Sequence, residues 1–224
     1  MAGCNHTVAK HVEVEGEIGH FGLDSWWLTT FSGAERRYIE KVYQHPGPPT
    51  AVRPLTTGGG PSVYESAAAL LTAMASQLGK RAEERELALR LLGKAEEQAD
   101  AENDVLALHS VYDEMVRLYD RWKEQFPDAS DAAFAACYKQ ARIGGQAARA
   151  FHDRYPMRAL PTHAGYELMT TLLAEVDNYE RAIDTCRQAR AQGWPGDWTA
   201  RIQQLTKDSG CPVRYISSSG MTQI

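Results

Sequence analysis

The stretch His163–Gly193 constrains this chain most, because it reads as one complete helix–turn–helix repeat. Tyr166, Met169, Thr170 and Leu173 fall at helical spacing in its first half, and Ala182, Cys186 and Ala189 in its second, with Asp177-Asn178 as the turn between them. Large and small residues alternate where two antiparallel helices would cross. A unit of this kind cannot bury its apolar face alone, so it demands neighbours.

The second-helix pattern recurs upstream. Ala88, Leu92 and Ala95 have the same spacing as Ala182, Cys186 and Ala189, and Ala133 with Cys137 repeats its first half, with Gln140 where an alanine would stand. Each copy follows a helix rich in aliphatic and aromatic residues, among them Leu70, Leu71 and Met74, then Leu108, Val111, Tyr112, Met115 and Tyr119. Alanine at a crossing lets two helix axes approach to roughly 8–9 Å, and the larger residue one turn on fills the space beside it. Helices are expected at about 62–78, 81–99, 103–125, 130–142, 146–154, 163–176, 179–192 and 197–207. The breaks are Gly79-Lys80, Phe126–Asp128, Gly144-Gly145, Pro156–Pro161 and Gly193–Gly196. Asp197 reads as the N-cap of the last helix, whose Arg201, Gln203, Gln204 and Lys207 give it the polar outer side of a capping helix.

On these residues segment 163–194 resembles a tetratricopeptide repeat. Tyr166, Met169, Thr170 and Leu173 match the marks of the family's first helix, and Ala182, Cys186 and Ala189 those of its second, with Pro195 close behind. Leu173 and Cys186 stand where the family carries aromatics. Together with the segment Gly22-Leu23-x-x-Trp26-Trp27, the pattern resembles helical-repeat proteins of an uncharacterised bacterial type. The resemblance implies an all-α fold, a tetratricopeptide-like solenoid of about three helix pairs with a C-terminal capping helix. It also implies that the first helix of each pair lines an inner surface, where Glu167, Thr171, Ala174 and Glu175 would stand in the last repeat. Two glutamates have the wrong sign for gripping a terminal carboxylate, so a basic or apolar partner is expected there. Trp27 and Tyr112 are added to the expected partner-binding set as large anchors.

Ahead of the repeats, Ser32 with Glu35 three residues on forms a capping box for a helix at Gly33–Gln44, and Tyr38, Ile39, Val42 and Tyr43 share one face of it. Two adjacent tryptophans on a helix cannot face the same core, so one of Trp26 and Trp27 is expected to turn to a second surface. Residues 45–61 are rich in proline and glycine and read as a linker. The expected domains are therefore 1–44, a small N-terminal helical module; 45–61, a linker; 62–208, the repeat domain; and 209–224, a loose tail. His11–Glu15 alternates with period two and could form a short strand.

A net charge of −5 over 224 residues argues against a nucleic-acid partner, which calls for a basic footprint. No apolar run approaches the roughly 20 residues of a membrane span, and Met1–His6 offers no apolar leader, so the expected location is cytoplasmic. Cys4, Cys137, Cys186 and Cys211 form no CxxC pair; reduced thiols are expected, with Cys137 and Cys186 as small core residues. No glycine-framed nucleophile elbow and no HExxH occurs, and His109, His152 and His163 read as packed or surface residues. Thr56–Ser62 places glycines before a helix but lacks the Lys-Ser/Thr of a nucleotide loop.

The leading expectation is a non-catalytic module binding a peptide or helix of a partner protein, with no cofactor and no metal. One alternative is a metal-dependent enzyme or metal-binding regulator using Cys4, His6, His11, Glu13 and Glu15, whose nitrogen, sulfur and carboxylate ligands suit zinc. Another is a self-assembling structural protein, a homo-oligomer in which the solenoid face pairs with its own copy.

Overall fold

The computed structural model describes residues 14–47, 53–58 and 62–210. These form ten α-helices and one 3-10 turn, with no strand among the described residues. The expected N-terminal strand falls largely, and the expected loose tail at 211–224 wholly, outside the described residues. The chain divides into two compact units, Met1–Asn103 and Asp104–Ile224. This differs from the division expected at 45–61: the N-terminal module and the first expected helix pair belong to one unit.

Unit 1 holds α1 (Gly16–His20), α2 (Asp24–Thr30), α3 (Gly33–Val42), α4 (Ala67–Leu78) and α5 (Arg85–Ala101), with the 3-10 turn at Ala82–Glu84. The capping box that starts α3 is complete. Ser32 Oγ accepts from Glu35 N at 3.3 Å, and Glu35 Oε2 accepts from Ser32 N at 2.7 Å. Arg90 of α5 then fastens the end of α2 and the start of α3. It pairs with Glu35, donates to Thr30 O at 2.8 Å, and lies 4.8 Å over the Phe31 ring. Hydrogen bonds from Arg90, then from Ser32, hold the Glu35 carboxyl down at about 2.

The proline-rich segment does not behave as a linker over residues 53–58. Pro54, Leu55 and Gly58 offer carbonyls to Glu17 N, Ile18 N and Gly16 N at 3.1, 3.0 and 3.0 Å. Leu55 is fully buried, and its N–H donates to the buried Glu40 at 2.9 Å. Backbone that composition reads as coil is thus tied down by the start of α1 and by one carboxylate of α3.

Unit 2 holds α6 (Val105–Trp122), α7 (Ala129–Arg154), α8 (Ala164–Glu175), α9 (Tyr179–Ala191) and α10 (Trp198–Asp208). Side chains cap four of the five N-termini. Asp104 accepts from Leu106 N and Ala107 N, His163 Nδ1 from Tyr166 N, Asn178 from Arg181 N, and Asp197 from Ala200 N. Each helix packs on the next, and α6 also packs on α8.

The expected break at Gly144-Gly145 is absent, and α7 runs through it. A Cβ on Gly144 would stand 2.8 Å from Gln192 Oε1, 3.2 Å from Tyr166 Oη and 3.3 Å from His163 Nε2. Glycine here admits neighbouring side chains to the helix; it does not end it.

The residues read as the repeat core, Ala88, Leu92, Ala95, Ala133, Cys137, Tyr166, Met169, Ala182, Cys186 and Ala189, are all buried. Cys137 and Cys186 are free thiols, and burial pushes the Cys137 thiol up to about 12, where it is inert as a nucleophile. Cys4 and Cys211 lie outside the described residues.

Candidate functional site

An open groove of about 750 Å³ crosses unit 2. Its lining comes from three helices: Val116, Arg117, Asp120 and (just past its end) Lys123 from α6; Ala164, Glu167, Leu168 and Thr171 from α8; Trp198, Ala200, Arg201 and Gln204 from α10, with Gly196 and Asp197 leading in. Helical periodicity explains the α8 contribution. Ala164, Glu167, Leu168 and Thr171 recur at intervals of three, one and three, which keeps them on one face.

The charges are mostly committed. Arg117 Nε donates to Asp113 at 2.7 Å and Lys123 Nζ to Asp120 at 3.0 Å, and these partners raise both basic pKa values. Asp197 caps α10. Arg201 is different. Half-buried, it donates to Thr171 Oγ1 and has no carboxylate partner among the described residues. Glu167 stands exposed, within Coulomb reach of Arg117. The groove therefore presents one arginine held in place by a neutral hydroxyl, one exposed carboxylate, and Leu168 as its half-exposed apolar contact.

Several expectations change on this geometry. Glu167 and Thr171 do line the groove, whereas Glu175 is exposed outside it. An acidic floor is not what forms, because Arg117, Lys123 and Arg201 face the same space. Arg201, expected on the cap's outer side, reaches back to α8 instead. Trp27 is no exposed anchor: it is fully buried, its ring 5.1 Å from Phe31, and the half-buried member of the pair is Trp26. Tyr112 is also buried, with Lys139 of α7 lying 5.5 Å from its ring.

Behind the groove lies a buried polar frame centred on Gln140. Its side chain is fully buried; Oε1 accepts from Gly165 N at 2.7 Å, while Nε2 lies 3.3 Å from both His109 O and Asp113 Oδ1. One side chain of α7 thus satisfies an otherwise unpaired N–H at the start of α8 and ties back to α6. His109 stacks on Trp194 at 4.9 Å with the planes 5° apart, and His163 meets both rings edge-on at 4.8 and 4.7 Å. Burial lowers His109 to about 4 and, with His109 beside it, His163 to about 3. Both are neutral packing residues at physiological pH. Trp198 Nε1 donates to Trp194 O at 2.8 Å, closing the frame at α10.

A second, smaller depression of about 370 Å³ opens between α7, α8 and α9, lined by Phe134, Tyr138, Met169, Leu173, Arg181 and Gln188 among others. Phe134 and Tyr138 are exposed apolar residues.

Among the described residues no three or more His, Cys, Asp or Glu side chains are grouped to hold a metal ion. Cys4, His6, His11 and Glu13, the expected ligands, lie outside the described residues, and Glu15 is exposed. No described helix is long and apolar enough to cross a membrane. Glu167 and Thr171 were legible in the sequence as inner-surface residues of the last repeat; Arg201, Leu168 and Lys123 were not legible as groove residues. No family model matches this chain, and comparison with curated proteins and with solved structures gives no match either.

Proposed function

We propose that unit 2 is a non-catalytic interaction module that receives a peptide or helical segment of a partner protein in the groove of α6, α8 and α10. In this reading α6/α7 and α8/α9 act as two stacked repeats, with α10 as their cap. The packing of α6 on α8, first helix of one pair against first helix of the next, supports that arrangement. The observation that carries the functional reading is the groove itself: the faces of three alternate helices open onto one space of about 750 Å³, a size within the range of ligand pockets.

The partner chemistry follows from the uncommitted groups. Arg201 offers a planar guanidinium to a carboxylate, Leu168 takes an apolar side chain, and Glu167 at the rim takes a basic one. A segment that combines acidic, apolar and basic residues fits better than the purely basic or apolar partner that the two glutamates alone suggest.

Panning a random peptide library against the intact chain tests this. Recovered peptides are expected to lose about tenfold or more in affinity with Leu168→Arg or Arg201→Glu, the scale of one buried apolar or charge-assisted contact. Tyr138→Arg on the other face is expected to leave affinity unchanged. Weakening by Tyr138→Arg with no effect at Leu168 and Arg201 would refute the assignment.

A further inference from the structure

Unit 1 contains a pocket of its own, of about 630 Å³, whose chemistry is unlike the groove of unit 2. Its lining carries four cations, Arg36, Arg37, Lys41 and Arg53, against the single carboxylate of Glu40. In a chain of net charge −5 this concentration of positive charge runs against the overall balance. Several basic side chains elsewhere are paired with carboxylates, as Arg90 is with Glu35, Lys94 with Glu97 and Arg187 with Asp184.

Glu40 offsets one of these four charges and lies within Coulomb reach of Arg53, which leaves the lining three cations in excess. Its two oxygens are taken by Leu55 N at 2.9 Å and Thr56 Oγ1 at 3.0 Å, which fixes the 53–58 turn against α3. That turn in turn places Arg53 opposite the helix. Arg36 is pinned through Nη1, which donates to Leu28 O at 2.9 Å and to Phe31 O. Its Nη2 points elsewhere: it lies 3.9 Å from where a Cβ on Gly33 would stand, and Arg37 Nη1 lies 3.5 Å from the same point. Two guanidinium groups thus converge over a residue that has no side chain to separate them. Lys41 stands one turn beyond Arg37. Arg37, Lys41 and Arg53 have no side-chain ion pair among the described residues. Holding like charges together costs free energy in the empty pocket, and an anion that bridges them recovers it.

We propose that this pocket binds a compact polyanion of the phosphate type, bearing at least two oxyanion groups. Four cations from two elements, α3 and the 53–58 turn, against one carboxylate carry more charge than a single phosphate balances, while arginine forks suit phosphate oxygens. The site is built from residues of unit 1 alone, so the proposal does not depend on the groove of unit 2.

Calorimetric titration of the intact chain with inorganic pyrophosphate tests the site, with inorganic phosphate as the smaller comparison. Saturable one-to-one binding is expected, tighter for pyrophosphate than for phosphate, and weakened about tenfold by Arg37→Ala, by Lys41→Ala and by Arg53→Ala. All three are exposed, so thermal melts are expected to match the parent chain. Arg187→Ala in unit 2 is expected to leave binding unchanged. A parallel sedimentation with phosphatidylcholine vesicles, with and without a phosphoinositide, assigns the source: binding of soluble pyrophosphate marks a free ligand, and phosphoinositide-dependent sedimentation without it marks a lipid headgroup at the same cations. No binding in either arm, or binding that Arg187→Ala weakens as much as Arg37→Ala, overturns the proposal.

Discussion

Gln140 stands where the repeat pattern calls for an alanine, and its polar atoms reach α6 and α8 at once. A buried amide is costly unless satisfied, so this side chain fixes how three helices meet and is not merely tolerated. The histidines beside it make the same point through pH. Burial holds His109 at about 4 and His163 at about 3, below their ordinary 6.5. Below pH 6.5 the unfolded chain takes up protons at both imidazoles while the folded chain refuses them. Stability is therefore complete above pH 6.5 and is lost as pH falls toward 4 and then 3. Between pH 6.5 and 5, before most carboxylates titrate, the pair is expected to cost roughly 3 kcal/mol. Urea unfolding across that window checks it. His163→Asn keeps an acceptor for Tyr166 N and is expected to remove about half of the slope; an unchanged slope would show that burial does not hold the imidazole neutral.

At the scale of the element, two glycines in helices separate what local sequence can and cannot announce. Gly93 in α5 is exposed, and a Cβ there would meet nothing within 4 Å. Gly165 in α8 is buried, and its Cβ would stand 2.5 Å from Gln140 Oε1 and 3.3 Å from the Cys137 backbone. Gly93→Ala is expected to stabilise by about 0.5–1 kcal/mol, and Gly165→Ala to destabilise by about 2 kcal/mol through overpacking and a displaced hydrogen bond. Thermal melts of the two variants compare them directly. What the sequence announced was local: the Ser32–Glu35 box, the turn at Asp177-Asn178, the cap at Asp197, and the small residues of α5, α7 and α9 all depend on neighbours within a turn or two. What it concealed was tertiary. Gly144-Gly145 resembles a break because nothing within its own helix reveals that Tyr166, His163 and Gln192 crowd it. Pro54 and Gly58 resemble a linker because Leu55 is held by Glu40, fifteen residues away. Arg201 resembles a solvated cap residue until α8 brings Thr171 to it.

At the scale of the molecule, the chain parts at Asn103, where a positive φ of 53° ends α5's run and Asp104 starts α6 as its N-cap. Each unit has its own core, Trp27, Phe31, Leu70 and Leu91 in one, Trp122, Cys137, Tyr166 and Cys186 in the other. Each also carries its own candidate site, cationic in unit 1 and of mixed charge in unit 2. The groove of α6, α8 and α10 is the claim on which the proposed function stands. Backbone amide chemical-shift mapping with a library-selected peptide tests it most directly. Perturbations are expected to concentrate at Val116, Leu168, Thr171, Ala200 and Arg201. Perturbations gathered instead at Phe134, Tyr138, Arg181 and Gln188 would place the partner between α7, α8 and α9 and contradict the account.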